Sequence, residues 1–253
     1  MNVENKGQAV ALIQESDKKK PNTILSIEPK KENVLTYMKE LKVKDGQHFQ
    51  QIPNISVERN ILYITGASGS GKSYYTKNFV EQYKKIYPKR EVYLFSSLSD
   101  DSSIDKIKKL RRIKLTPEFL NEDITAKDFV DSLVIFDDTD CITDKKVKLK
   151  VNGILNSLLE TGRHFNASVI YTSHSACNGA DTKKILNECH SITIFPHGLG
   201  GRSLKYLLEQ YLGLDKAQIA RVKHLNSRWV TIIKSYPMVV LSEKESYVLN
   251  VND

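Results

Sequence analysis

The stretch that decides the fold reads ILYITGASGSGKSYY and covers residues 61–75. Its apolar first part, residues 61–65, enters a glycine-rich turn that ends in Lys72 and Ser73 and opens onto a helical pattern. The turn matches G-x-x-x-x-G-K-[ST], the pattern of a phosphate-binding loop, between the strand and the helix that this pattern requires. The sequence therefore predicts a nucleoside triphosphate site here, and a chance glycine turn is the alternative.

The residue types of the loop explain how it would hold phosphate. Glycines let the backbone curl so that successive N–H groups point at one anion, and a helix that begins near Lys72 adds the positive end of its dipole. We expect Lys72 to reach the β- and γ-phosphates and Ser73 to hold Mg²⁺. The predicted nucleotide-binding residues are Gly66, Ala67, Ser68, Gly69, Ser70, Gly71, Lys72, Ser73 and Tyr74.

A second anchor is LVIFDD, residues 133–138. Four apolar residues before two acids are typical of a buried parallel strand whose carboxylates stand at the C-terminal edge, where α/β sheets bind ligands. We expect Asp137 to hold Mg²⁺, directly or through water, as a Walker-B aspartate does. Asp138 is the candidate for the group that orients and deprotonates the attacking water. The alternative is a strand that ends in a turn-forming Asp pair.

Strand and helix patterns alternate along the chain, which predicts a parallel sheet with right-handed crossovers. The fold class is therefore α/β, a P-loop NTPase core of the RecA/ASCE type with a mainly parallel central sheet flanked by helices. Strands are predicted at residues 61–65, 91–97, 133–136, 168–172 and 192–195, helices at 73–87, 147–161 and 216–225, an apolar core stripe at 204–212, and closing strands at 229–233 and 239–241.

The first part of the chain carries weaker patterns. Residues 1–22 are polar and predict a loosely ordered tail, with a lysine run that either is solvated or touches nucleic acid. A short amphipathic helix is predicted where apolar residues recur at helical spacing, at Val34, Leu35, Met38 and Leu41. The sequence thus divides into an N-terminal extension, residues 1–50, and an ATPase domain, residues 51–253.

Charge and cysteine content narrow the class of partner and compartment. A net charge of +8 favours an acidic partner, nucleic acid first and an anionic membrane second. The chain has three cysteines, an odd number with no C-x-x-C pair, which favours a reducing compartment. Neither a signal peptide nor an apolar run of membrane-spanning length is evident. A dense basic block is either a DNA-facing surface or a solvated helix face: Lys106, Lys108, Lys109, Arg111, Arg112 and Lys114.

The segment GRHFNASVIYTSH, residues 162–174, resembles the helix–strand–sensor segment of the FtsK–HerA superfamily of DNA-pumping ATPases. In that superfamily an Arg-rich helix end precedes a strand that finishes in Thr-Gln. The segment 162–174, taken together with SRWV at residues 227–230, is most similar to the poxvirus-type genome-packaging ATPases. Those proteins occur in large DNA viruses, virophages and related transposons. The resemblance covers residues 55 to 240.

This resemblance implies a ring, hexameric or pentameric, that translocates double-stranded DNA and uses ATP at sites between subunits. It implies that Lys72 and Ser73 serve phosphate and metal, and that Asp137 serves metal. It also places the catalytic carboxylate at Asp138, where the superfamily usually has Glu, and the sensor at His174, where it usually has Gln. The shorter Asp predicts slow turnover, and the His predicts pH dependence.

Arg163 is the candidate arginine finger, and the resemblance implies that it reaches the neighbouring subunit's site. An Arg in that role stabilises charge that develops during phosphoryl transfer. The alternative is a helix-end Arg that serves the last carbonyls and the helix dipole. Arg202 and Arg228 are weaker candidates for the finger.

A zinc site is a further alternative. His174, Cys177, Cys189 and His190 contain ligand-type side chains, but their spacing matches no common zinc site, so free thiols are the plainer interpretation.

The favoured function is an ATP-hydrolysing motor that packages viral double-stranded DNA into a capsid. Capsid or virion membrane proteins are expected further partners, and the virion or the cytoplasm of the host cell is the expected location. One alternative is a nucleoside-type kinase, for which residues 198–202 are the only lid-like loop. Another is a nucleotide-gated virion assembly factor with little turnover, which the short Asp138 favours.

Overall fold

The computed structural model describes residues 1–17, 19–28 and 38–249. Its strands are β1 Gln8–Glu15, β2 Thr23–Ile27, β3 Glu40–Lys42, β4 Gln47–Gln51, β5 Ile61–Thr65, β6 Glu91–Ser96, β7 Leu110–Lys114, β8 Ser132–Asp137, β9 Ser168–Ser173, β10 Ser191–Ile194, β11 Val230–Ile233, β12 Met238–Ser242 and β13 Glu245–Leu249. Its α-helices are α1 Lys72–Ile86, α2 Lys145–Thr161, α3 Gly179–Glu188, α4 Gly201–Tyr206 and α5 Lys216–His224.

A ten-stranded sheet forms the centre, in the order β3-β13-β12-β11-β10-β5-β9-β8-β6-β7. The strands from β10 to β7 are parallel, and β11, β12, β13 and β3 continue the sheet with antiparallel pairs. The strand of the phosphate loop, β5, and the strand of the acidic pair, β8, both pair with β9, which lies between them. The predicted α/β class with a mainly parallel sheet is confirmed.

The two faces of β5 show why this strand is apolar throughout. Alternate side chains point to opposite faces of a strand. Ile61 and Tyr63 pack in the larger core cluster with the buried face of α2, and Leu62 and Ile64 pack on the other face with α1. Full burial of an apolar side chain of this kind contributes roughly 1.5–3 kcal/mol to the free energy of folding. Helices on both faces therefore hold the strand that leads into the phosphate loop.

The boundaries of α1 follow from local chemistry. Gly71 precedes the helix with φ +113, and the helix ends at Ile86 before Tyr87 and Pro88. Proline cannot continue a helix, and Lys84 and Lys85 complement the negative end of its dipole. The prediction of a helix over residues 73–87 is confirmed to within one residue at each end.

The N-terminal segment differs from the prediction. Instead of a loosely ordered tail over residues 1–22, β1 forms the middle strand of a separate sheet, in the order β2-β1-β4. Val10, Leu25 and Phe49 of this sheet pack against Ile233 and Leu241 of the antiparallel edge. The tail prediction was wrong because a half-exposed strand carries polar residues on its outer face, which lowers its apparent hydrophobicity.

The remaining predictions concern an amphipathic helix, the basic block and the apolar stripe. The amphipathic helix proposed from Val34 to Leu41 lies partly outside the described residues, and Leu41 itself belongs to β3. Part of the basic block is the edge strand β7 rather than a helix face. The apolar stripe at residues 204–212 is core, as predicted. Within the described ranges, every helix is too short or too polar to cross a bilayer.

Candidate nucleotide-binding site

The phosphate loop leaves the carboxyl end of β5 and is held against its neighbours. The N–H of Gly66 donates to the carbonyl of Ser173 at 3.1 Å, which ties the loop to the end of β9. A Cβ on Gly66 would lie 2.7 Å from Cβ of Phe195, so no larger residue fits there. Gly69 and Gly71 have φ values of +71 and +113, in the region that favours glycine. These glycines therefore let the backbone curl, as a phosphate-binding loop requires.

Lys72 lies across this loop and is buried. Its Nζ donates to the carbonyl oxygens of Gly66 at 3.0 Å and Ala67 at 3.4 Å. The same Nζ lies 3.7 Å from Oδ1 of Asp138. The ammonium group is thus placed between the loop and the end of β8, where a bound polyphosphate would meet it.

Asp137 is the last residue of β8 and is buried. Its Oδ1 accepts a hydrogen bond from Oγ1 of Thr172, on β9, at 2.9 Å. Burial and then the charge of Asp138 raise the pKa of Asp137 to about 6, while the Thr172 hydrogen bond opposes the shift. A buried carboxylate beside a second one is an environment that a cation would stabilise.

Asp138 follows in a left-handed conformation, with φ 49 and ψ 35. Its Oδ2 lies 3.0 Å from Nε2 of His174, and its Oδ1 faces Lys72. Its backbone N–H donates to Oγ1 of Thr172 at 3.0 Å. The structure therefore brings Lys72, Asp138 and His174, three of the predicted catalytic residues, together at one point.

Two further residues of this cluster were missed from the sequence. Thr172 accepts from the backbone of Asp138 and shares its one hydroxyl hydrogen between the two acids, at 2.9 Å from Asp137 and 3.2 Å from Asp138. Asp140 accepts from Oγ of Ser173 at 2.9 Å. The sequence does carry a signal for Thr172, because this residue is the last but one of a strand that ends beside His174.

The three arginine candidates lie in different places. Arg163 follows α2 at the amino end of β9, opposite the phosphate loop, with 68% of its side chain exposed and its Nε 3.6 Å from Oε2 of Glu58. Arg202 is exposed at the start of α4. Arg228 stands beside the loop, since its Nη2 is 3.8 Å from where a Cβ on Gly71 would lie. Within one subunit, Arg228 therefore lies near the phosphate loop, whereas Arg163 lies at the far end of the sheet.

The four side chains of the zinc alternative are not gathered. His174 is at the carboxyl end of the sheet, whereas Nδ1 of His190 accepts from the N–H of Ile61 at the amino end of β5. Across the described ranges, no group of three or more His, Cys, Asp and Glu side chains is arranged to hold a metal ion. Cys141, Cys177 and Cys189 are free thiols.

The loop and the acidic pair fit a nucleotide with Mg²⁺. Oγ of Ser70 is buried and has no hydrogen-bond partner in the described part of the chain, which leaves a donor for a phosphate oxygen. Ser73 and Asp137 offer hydroxyl and carboxylate oxygens, the ligand type that Mg²⁺ prefers. A divalent cation would also offset the charge that raises the pKa of Asp137.

Comparisons with known proteins identify a relative and a shared fold. No protein-family model matches the chain. The Sputnik virophage "Uncharacterized protein V3" is 40% identical over 214 residues, which cover 83% of this chain and 84% of that protein. B204, the DNA-packaging ATPase from Sulfolobus Turreted Icosahedral Virus, aligns with a TM-score of 0.52 at 16% identity, over 74% of this chain and 98% of B204.

The fold also extends beyond viruses. The pCW3 conjugation coupling protein TcpA, solved with ATPγS, aligns with a TM-score of 0.50 at 11% identity, over 95% of this chain and 77% of TcpA. At such low identities the solved structures establish the fold, and the 40% identity to V3 over most of both chains establishes kinship. The chain belongs to the family of the Sputnik virophage protein V3, and its fold is that of the viral genome-packaging ATPases.

Proposed function

We propose that the protein is an ATP-hydrolysing motor that drives double-stranded DNA into a viral capsid. The observation that carries the proposal is the meeting of Lys72, Asp138 and His174 at the mouth of the phosphate loop. Kinship with a virophage protein and the fold shared with B204, a DNA-packaging ATPase by its printed description, support the viral packaging role.

The residues divide the work of hydrolysis. Lys72 binds the β- and γ-phosphates through charge-assisted hydrogen bonds and leaves Asp138 when it does so. Asp138 then accepts the proton of the attacking water, and His174, within 3.0 Å of the same carboxylate, orients that water. Thr172 holds both acids in place. When bound with nucleotide by Ser73 and Asp137, Mg²⁺ supplies positive charge that neutralises the phosphate oxygens.

Arg163 completes the site of a neighbouring subunit in this proposal. It is too far along the sheet to serve its own loop, and its one ion pair among the described residues, with Glu58, is long and exposed. Such a pair contributes at most about 1 kcal/mol, so the guanidinium is free to move to a neighbour's triphosphate. A ring of subunits, hexameric or pentameric, brings the amino end of one sheet to the loop of the next.

The kinase alternative finds less support. A kinase lid must move over the phosphates, but Gly198 packs against the loop, since a Cβ there would lie 2.9 Å from Cβ of Ala67. The residues after it start the helix α4. A nucleotide-gated assembly factor differs from the motor only in rate, so the same assay addresses it. Capsid or virion membrane proteins as partners, and the virion or host cytoplasm as location, belong to the motor proposal.

The first test is the ATPase rate with and without long double-stranded DNA, on protein whose mass in solution is measured in the same buffer. The motor predicts strong stimulation by DNA and a nucleotide-dependent ring. A DNA-insensitive monomer that phosphorylates an added nucleoside would replace the motor with the kinase. A rate at background with DNA present would instead favour the assembly factor.

A further inference from the structure

A small cavity opens beside the phosphate loop, between the start of α1 and the segments that flank β11 and β12. Its volume is about 130 Å³. The residues that matter for its chemistry are Gly71, Tyr74, Asn78, Arg228, Trp229 and Glu243. We call it the side cavity. A pocket for a whole drug-sized ligand has ~300 Å³ or more, so the side cavity suits a single planar ring system.

Two side chains at the side cavity lack the partners that such groups usually have. Tyr74 comes directly after Ser73, yet 61% of it is exposed. The guanidinium of Arg228 has no hydrogen bond or ion pair to any residue that the structure describes, although its Nη2 stands 3.8 Å from where a Cβ on Gly71 would lie. An aromatic ring and a planar cation left free beside a phosphate loop are available for a ligand.

The backbone around Arg228 is already held in place. The N–H of Glu243 donates to Oγ of Ser227 at 3.1 Å, and the N–H of Arg228 donates to Oε2 of Glu243 at 3.3 Å. The N–H of Phe49, in β4, donates to the carbonyl of Glu243 at 2.9 Å. Trp229 packs edge-on against Tyr75, with ring centroids 5.0 Å apart. These contacts position the cavity walls before any ligand arrives.

We infer that the side cavity is the subsite for the nucleoside part of the triphosphate, with the base between Tyr74 and Arg228. This inference rests on the proposed function, because it assumes a triphosphate on the loop. The α-phosphate end of that triphosphate leaves the loop next to Ser73, so the sugar and base must lie within a few ångströms of Tyr74. Aromatic faces and guanidinium planes stack on bases.

The polar groups of the side cavity suit the rest of a nucleoside. A carboxylate is a usual partner of ribose hydroxyls in nucleotide-binding folds, and Glu243 supplies one. The amide of Asn78 can both donate to and accept from the edge of a base. The assignment also removes Arg228 from the arginine-finger candidates, since it acts on the nucleotide of its own subunit.

The test compares ATP, AMP and inorganic triphosphate as ligands of the full chain, by calorimetry and by the fluorescence of Trp229, the only tryptophan in the sequence. ATP and AMP are expected to change the fluorescence, and triphosphate, which has no nucleoside to place in the side cavity, is not. Tyr74→Ala and Arg228→Ala are each expected to weaken ATP binding about tenfold, because base stacking is worth roughly 1–3 kcal/mol. Triphosphate binding stays within about twofold of wild type, because neither side chain holds the phosphates in this assignment.

Arg228→Lys separates stacking from charge, because lysine keeps the charge and loses the plane. The subsite predicts that Arg228→Lys binds ATP as weakly as Arg228→Ala. Tyr236→Ala, at a tyrosine that is 82% exposed, and Arg111→Ala, on β7, are matched controls that should leave both affinities unchanged.

Three results would overturn the inference. If Arg228→Ala weakens ATP and triphosphate equally and Arg228→Lys restores both, Arg228 is a phosphate ligand. If neither Tyr74→Ala nor Arg228→Ala changes ATP affinity, the nucleoside lies elsewhere, while the proposed motor stands. If the wild-type protein binds neither ATP nor triphosphate, the phosphate loop is not a nucleotide site, and the proposed function fails with the subsite.

Discussion

Asp137 shows how a site can oppose the stability of its own fold. The residue is 2% exposed, and the pKa of its carboxyl is raised from 3.8 to about 6, first by burial and then by the charge of Asp138. Because the folded-state pKa is the higher one, the folded protein holds this proton more tightly. Stability from this group is therefore fully present below about pH 4 and is lost as the pH rises to about 6.

Asp137→Asn is expected to stabilise the protein at pH 7, without nucleotide and with the metal chelated, by up to ~3 kcal/mol. The neutral amide removes the cost of the buried charge. Urea unfolding at pH 7 and at about pH 4 measures the effect, and the gain should vanish at the lower pH. Asp123→Asn, at an exposed position, is the matched control. Equal gains at both pH values would contradict the role of ionisation.

Asp138→Asn tests the proton acceptor. We expect ATP binding to be retained and hydrolysis to fall by ~10²–10⁴-fold, because an amide cannot take the proton from water. Single-turnover hydrolysis and calorimetric binding separate the two steps. Lys72→Ala is the contrasting variant and should lose binding itself, since it removes the charge that holds the phosphates. Normal hydrolysis by Asp138→Asn would assign the base to another residue.

The sequence predicted the central residues of this site but not their surroundings. Lys72, Asp138 and His174 each end a recognisable strand or motif, and strands of one parallel sheet bring such ends together. The approach of Arg228 to Gly71 was not predictable in the same way. It depends on the antiparallel pairing of β11 beside β10, which no local pattern near Arg228 specifies.

At the scale of elements, β9 is the strand that joins the two halves of the site. It pairs with β5 on one side and β8 on the other, and its Thr172 contacts both acids of β8. A change in this strand therefore acts on the phosphate loop and the acidic pair together.

Thr172→Val is expected to destabilise the protein by ~1–3 kcal/mol, because it removes the hydroxyl that accepts from Asp138 N–H and donates to the acids. Thermal unfolding measures the loss, and the hydrolysis rate should also fall as Asp138 becomes free to turn. Thr143→Val, at an exposed position, controls for the change of residue type. Unchanged stability and rate would mean that water replaces the hydroxyl without cost.

Prediction succeeded for strands that are buried on both faces and failed for strands that are only half buried. β5, β8 and β9 are continuous buried runs between helices, so their sequences are apolar throughout. β1 and β7 are only half buried, and their outer residues are polar or charged. A strand of that kind is recognisable only from its partners, which the local sequence does not contain.

At the scale of the whole molecule, Arg163 and the phosphate loop lie at opposite ends of one sheet. If Arg163 completes a neighbour's site and the sites of a ring fire in sequence, one Arg163→Ala subunit disables the site beside it and stalls the whole ring. In mixtures with wild type, activity should then fall more steeply than the mutant fraction, as measured by DNA-stimulated ATPase. Lys89→Ala, at an exposed position, should give no such effect. A fall in simple proportion would contradict a finger that acts within a ring whose sites fire in sequence.

The two rims of the ten-stranded sheet constrain how copies can join. On one side β7 presents Arg111, which pairs with Glu91, and on the other the three-residue β3 presents Glu40 and Lys42. Short strands with charged side chains discourage the addition of a further strand. We therefore expect that no β-sheet runs continuously from one copy to the next. Subunits that meet through helices and loops can slide and tilt between successive nucleotide states. Copies joined by the backbone hydrogen bonds of a continuous sheet would instead be held in one relative orientation.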